Sequence, residues 1–232
     1  MRRLILLMTA MGAAILLVSG VAYALSVQCD GVNDQDPDTG QCRGTDQNDV
    51  ISGTSQRDVI FALGGFDQVS AAGGQDELNG GSSADTLRGD ADSDTYNGGE
   101  GNDWLNEGST ADAGNDVMNG GGGSDFIEGN EGNDILRGQE DNDSQSGAFF
   151  TSMFGGGGDD ELYGGLDDDG LQGEAGTDKH FGGKGNDYID AVSADSVGTP
   201  DLVNCGSGID TARVREPEDI VRANCEEVIE VV

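Results

Sequence analysis

The chain has 232 residues, 41 of them glycine, with aromatic residues at 5% and a formal net charge of −34. So few large side chains argue against a conventional globular core, and a surface this acidic repels phosphate and anionic headgroups, which sets aside nucleic acid and membrane surfaces as partners. Low hydrophobicity with high charge is also the composition of disorder, but the acids here keep a phase that a solvating tail would not need.

The first predicted element is an export signal over residues 1–24. Arg2 and Arg3 begin it, Leu4 to Val18 form its apolar centre, and Ala22-Tyr23-Ala24 is a small-x-small cleavage site. Cleavage after Ala24 is expected to give a secreted, extracellular chain starting at Leu25. The alternative is that the same uncharged run stays as an anchor. Residues 25–43 then form an N-terminal cap containing Cys29 and Cys42. Within it Asp34, Asp36 and Asp38 resemble a calcium loop, without the glycine and distal glutamate that an EF-hand places there.

Residues 44–213 form a repeat array in which aspartate recurs every ninth residue. The runs are Asp49, Asp58, Asp67, Asp76, Asp85, Asp94 and Asp103; then Asp116, Asp125, Asp134 and Asp143; then Asp160, Asp169, Asp178 and Asp187. Each unit reads as six turn residues and three strand residues, most clearly at Gly98–Asn106, Gly120–Glu128 and Gly182–Asp190. Glycine suits the turn because it reaches positive φ without a Cβ clash. The eighth position is apolar from Ile51 and Ile60 through Leu136 and on to Ile189, with Gln145 and His180 (the single histidine) as polar exceptions. One inward side chain per short strand predicts two units per coil, with a strand on each side of a thin interior.

The phase breaks twice, by four residues between Asn106 and Ala111 and by eight at Gly147–Phe154, which carry the Phe149-Phe150 pair. Both breaks read as loops bulging from one face. Asp201 and Asp210 keep the nine-residue spacing, with Val203 and Ala212 at the core places, as a last coil merging into a C-terminal cap over 214–232. Cys205 and Cys225 belong to that end. Four cysteines fit an exported chain and allow three pairings. The local ones, Cys29–Cys42 and Cys205–Cys225, would each staple one end of the array, and a zinc site is poorly supported because no Cys-x-x-Cys or nearby histidine accompanies them.

The units resemble the Gly-Gly-x-Gly-x-Asp-x-apolar-x nonapeptide of the RTX, or haemolysin-type, calcium-binding repeats, over about residues 44–213. The resemblance implies an all-β fold, a right-handed parallel β-roll, with Ca²⁺ held between its turns. Ca²⁺ takes roughly six to eight oxygen ligands. Residues eighteen apart would stand on successive coils at a spacing of ~4.8 Å, so one ion could take a carboxylate oxygen from each. Asp85 with Asp103, Asp116 with Asp134, Asp125 with Asp143 and Asp160 with Asp178 are such pairs. The expected metal ligands are the side chains of Asp67, Asp76, Asp85, Asp94, Asp103, Asp116, Asp125, Asp134, Asp143, Asp160, Asp169, Asp178 and Asp187. Backbone ligands are expected at Gly98, Gly101, Gly120, Gly123, Gly155, Gly158, Gly182 and Gly185. Like charges this close repel without metal, so calcium binding and folding should be one linked equilibrium. Several units depart from the pattern. Those starting at Gly44 and Gly53 have Thr second and Gln fourth, those at Ala62 and Ala71 lack the first glycine, and Asp92, Asp141 and Asp167 replace the fourth.

The function expected is that of a secreted calcium-binding β-roll without catalysis of its own. No Gly-x-Ser-x-Gly elbow or phosphate loop is present, and one histidine at a core place cannot serve a hydrolase triad. The alternatives are a calcium-stabilised surface adhesin or spacer and a carboxylate-based glycan enzyme. Calcium ions are the expected partners, a surface or glycan partner stays unidentified, and no membrane insertion is expected after signal cleavage.

Overall fold

The structure, a computed structural model, describes residues 25–29, 41–108, 114–140, 152–192, 199–215, 217–222 and 224–231. The signal at 1–24, the acidic loop at Asp34–Asp38, Asp141, Asp143, Gln145 and the Phe149-Phe150 pair lie outside them. The described residues contain twenty-one strands and no helix, hence none long and apolar enough to cross a membrane.

Successive strands alternate between two parallel sheets, one of 11 strands running from Leu25–Gln28 to Glu227–Glu230, the other of 10 running from Cys42–Arg43 to Ile220–Val221. Each strand pairs with the strand two further along the chain, which makes the fold a parallel β-solenoid. The eighth positions are in register. In one sheet Ile51 pairs with Val69, Val69 with Leu87 and Leu87 with Leu105; in the other Leu78 pairs with Tyr96, Tyr96 with Met118 and Met118 with Leu136. These side chains are buried and form the core together with Ala62, Ala71, Val203, Cys205 and Ala212. With one such residue in nine, apolar burial alone is a small return on the backbone entropy fixed in each coil. Inter-coil hydrogen bonds and the turns must supply the rest.

Both predicted ends continue the stack. Leu25–Gln28 pairs with Asp49–Ser52, Cys42–Arg43 with Val59–Gly64, and Glu227–Glu230 with Thr211–Val214. The Cys29–Cys42 and Cys205–Cys225 disulfides close the two ends, with Cα–Cα distances of 5.6 and 5.2 Å.

The two phase breaks fall inside turns rather than between units. Glu107 donates its N–H to the Glu128 carbonyl, as Gly44 and Gly53 do to Phe61 and Ser70. It therefore holds the first turn position, and the extra residues follow Gly108. The second break precedes Ser152: Met153 pairs with Ile127 on one side and Leu171 on the other. Met153 thus fills the core place that the nine-residue count assigns to Gln145. Phe154 belongs to a strand, its ring 5.5 Å from that of Phe126, and not to an inserted loop. The described strand pairs on either side of both breaks keep their register.

Candidate metal centres along the two edges

The turns stack into two edges, and each edge carries a column of aspartates linked by one repeated hydrogen bond. The backbone N–H of each aspartate donates to Oδ1 of the aspartate one coil on, at 2.6–3.1 Å. One column runs Asp49, Asp67, Asp85, Asp103, Asp125 and then Asp169, Asp187, Asp210. The other runs Asp58, Asp76, Asp94, Asp116, Asp134, Asp160, Asp178, Asp201, Asp219. The steps are not all eighteen residues. They lengthen to 22 at Asp94–Asp116 and Asp103–Asp125, to 26 at Asp134–Asp160 and to 23 at Asp178–Asp201 and Asp187–Asp210. The columns therefore cross the breaks that divide the sequence into three runs. The Asp85–Asp103, Asp116–Asp134 and Asp160–Asp178 pairs stand together; the partner of Asp125 expected at Asp143 lies outside the described residues.

The second carboxylate oxygen is the chemically open one. Oδ2 of Asp67, Asp76, Asp85, Asp94, Asp103, Asp116, Asp134, Asp160, Asp187 and Asp210 is buried with no hydrogen-bond partner. Burial, opposed by the inter-coil N–H and aided by neighbouring carboxylates, pushes these groups up. Asp67 and Asp103 reach about 6, Asp76, Asp85, Asp116, Asp160 and Asp187 about 7, and Asp94 and Asp134 about 8. A buried acceptor without a donor costs free energy that a cation would recover.

The first-position glycines border this oxygen. A β-carbon on Gly98 would collide with Asp103 Oδ2 and the Gly120 carbonyl of the next coil, and one on Gly155 would meet Asp160 Oδ2 and the Gly173 carbonyl. Gly120 and Gly182 stand in the same way beside Asp125 Oδ2 and Asp187 Oδ2. At the steps beside Gly80, Gly98, Gly129, Gly155, Gly164 and Gly182 a carboxylate oxygen and a carbonyl oxygen of the following coil thus share one small space, whereas beside Gly89 the Tyr96 hydroxyl stands by Asp94 Oδ2. The fourth-position glycines do a different job. Gly101, Gly123, Gly158 and Gly185 press against a carbonyl of the preceding coil, at Ser83, Gly101, Gly132 and Asp167, and hold φ of 121° to 137°. Asp92 and Asp167 adopt positive φ at that same position, at 72° and 68°, so the departures from glycine leave the turn intact.

Three turns differ in kind. Asp49 Oδ2 accepts the Thr45 N–H at 2.6 Å and its hydroxyl at 3.0 Å. Asp58 Oδ2 accepts the Thr54 N–H at 2.7 Å and its hydroxyl at 3.1 Å. Asp219 Oδ2 accepts the Arg215 N–H at 2.6 Å. Thr45, Thr54 and Arg215 occupy the second turn position without positive φ, whereas at the other described turns, except that of Val192, whose N–H donates to Asp190 Oδ1, the position runs from 70° at Asn130 to 122° at Gly165. The peptide between positions one and two is therefore turned so that its N–H satisfies the carboxylate. These self-satisfied turns sit at the two ends of the stack.

Glu107 is a carboxylate that the nine-residue pattern does not single out. It replaces the first-position glycine, is 1% exposed, and accepts N–H bonds from Gly114 and Glu131 at 3.2 and 3.3 Å. Burial raises its pKa, and its charge pushes Asp116 and Asp134 higher. His180 fills a core place between Leu162 and Val203, where burial lowers it to about 4. Among the described residues, no three His, Cys, Asp or Glu side chains gather at one point. The donor set is instead one carboxylate per coil with backbone carbonyls, all oxygen, which suits a hard divalent cation such as Ca²⁺ and not zinc.

The profile of the RTX calcium-binding nonapeptide repeat matches the chain in four copies, at residues 43–78, 70–105, 110–144 and 154–189. No curated protein matches it.

Proposed function

Because the chain belongs to the RTX calcium-binding nonapeptide repeat family, we propose that it is an exported protein whose β-roll forms as Ca²⁺ fills the two edge columns, with no catalysis of its own. The observation that carries this is the set of buried, unpartnered Oδ2 atoms at Asp67, Asp76, Asp85, Asp94, Asp103, Asp116, Asp134, Asp160 and Asp187. When bound, calcium would supply the positive charge that lets these carboxylates stay ionised side by side. Asp67, Asp76, Asp85, Asp94, Asp103, Asp116, Asp134, Asp160 and Asp187 would hold it, with first-position carbonyls such as those of Gly120 and Gly173. Residues 1–24 support export, and two disulfides suit an oxidising compartment. The excess of acids supports cations, and not nucleic acid, as partners.

Calorimetric titration of the mature chain tests the proposal. Several Ca²⁺ per chain should bind, with affinities of about 10⁻⁴–10⁻³ M typical of extracellular modules, while Mg²⁺ at the same concentrations gives little heat. Equal binding of both ions, or of neither, would contradict it.

A further inference from the structure

The column containing Asp187 does not stop where the recognisable repeats stop. It continues to Asp210, twenty-one residues past the last matched position. The unit there begins with Cys205 in place of glycine, yet its turn has the metal-type backbone. Gly206 and Gly208 take φ of 113° and 155°, and Asp187 donates its N–H to Asp210 Oδ1 at 2.9 Å. The space beside Gly182 is bounded by Asp187 Oδ2 and the Cys205 carbonyl oxygen, the same pair of atoms that Asp103 and Gly120 supply farther up. Asp187 and Asp210 are 2% and 0% exposed, and Oδ2 of each has no hydrogen-bond partner.

Cys205 is tied to Cys225. The next residue, Glu226, accepts the Asp210 N–H at 3.0 Å. The disulfide therefore brings a carboxylate onto the end of the column, in the place where another aspartate would stand. One turn further along the chain, Asp219 is satisfied by Arg215 and needs no ion.

We propose that the Asp187 and Asp210 turns enclose a calcium site that spans the end of the matched repeats, made from Asp187 Oδ2, the Cys205 carbonyl and Asp210, and held in place by the Cys205–Cys225 disulfide through Glu226. This rests on the calcium-binding reading above. Because Cys205 is oxidised, its sulfur is not a ligand, and the donors are all oxygen, as Ca²⁺ prefers. The site locks the last full coil to the matched repeats, so the C-terminal strands order with calcium although they lie past the last matched position.

Native mass spectrometry of the mature chain with Ca²⁺ counts the ions. Asp210→Asn keeps the Oδ1 acceptor for Asp187 and removes the charge, and it should bind one calcium fewer than the wild type. Asp49→Asn, in a turn already satisfied by Thr45, should bind the same number as the wild type. An undiminished count in Asp210→Asn overturns the site. Should that variant fail to fold, amide exchange of the wild-type chain decides. Exchange over residues 202–214 should slow roughly tenfold or more on adding Ca²⁺. Calcium-indifferent exchange there, beside calcium-dependent protection over residues 77–140, overturns this site and leaves the β-roll reading standing. Indifference over both regions overturns the β-roll reading as well.

Discussion

Asp94 and Asp116 are separated by 22 residues in sequence but by one coil in space: the Asp94 N–H donates to Asp116 Oδ1 at 2.7 Å. Each carboxylate spends one oxygen on the coil before it and leaves the other buried and open. The same atoms thus set the stacking register and create the demand for a cation.

Asp116→Asn should separate these two roles. The amide oxygen preserves the inter-coil hydrogen bond, while the buried charge disappears. Without calcium the variant should be the more stable chain, since a like-charge contact is removed. With calcium near 100 times its dissociation constant it should lose roughly 2–3 kcal/mol of the metal-linked stability. The β signal in chelator at neutral pH and thermal melts in calcium check both signs; a variant with less β signal than wild type in chelator would contradict the assignment.

The N-terminal coils should be indifferent to calcium in a way the middle is not. Thr54 satisfies Asp58 through its N–H and its hydroxyl. Thr54→Val should cost about 1.5–3 kcal/mol by loss of one hydrogen bond to a carboxylate, equally in calcium and in metal-free, partly folded conditions such as mild acid. A calcium-dependent effect of this substitution would place an ion where a hydroxyl is assigned.

Acid should substitute for calcium in the metal-free chain. Burial pushes Asp94 and Asp134 up to about 8 and five others up to about 7, against ~3.9 for an unfolded aspartate. A carboxyl raised by folding binds its proton more tightly in the folded state. Its contribution to stability is complete below the unfolded value and disappears as pH rises through 6 to 8. In chelator the β signal should therefore grow between about pH 8 and pH 5. In calcium the sign reverses, because protons compete with the metal, and the calcium needed for half-folding should rise as pH falls. Circular dichroism at several pH values, with and without calcium, reads both.

Glycine positions should differ sharply within one turn. Gly98→Ala places a methyl against Asp103 Oδ2 and the Gly120 carbonyl, and it should remove one bound calcium. Gly122→Ala meets only the flexible end of Glu100, its nearest atom 3.1 Å away, and should change stability by no more than about 0.5 kcal/mol. Calcium counts and melts of the two variants, compared side by side, give the answer.

Much of this was legible in the sequence because the nine-residue period is a direct image of the coil. Ile51, Leu78, Leu105 and Ile189 could be assigned to the core from phase alone, since a short strand has one inward position. The period fails where a turn lengthens. Counting in nines places Gln145 in the core and Glu107 in a loop, whereas strand pairing keeps its own register and gives Met153 the core place and Glu107 a turn position. Asp219 stands nine residues after Asp210 and could have been found by extending the phase. Whether an aspartate is open or satisfied could not be read from spacing. That depends on which way one peptide is turned, and Thr45, Thr54 and Arg215 in the second turn position are its only trace in the sequence.

The most direct test of the central claim is far-UV circular dichroism of residues 25–232, titrated first with Mg²⁺ and then with Ca²⁺ at neutral pH. The carboxylate columns predict a largely disordered spectrum in chelator, little response to Mg²⁺, and a cooperative rise of β signal with Ca²⁺. A chain already β-rich in chelator at neutral pH and unmoved by Ca²⁺ would contradict it, because the buried carboxylates would then stand together without the ion that is argued to hold them.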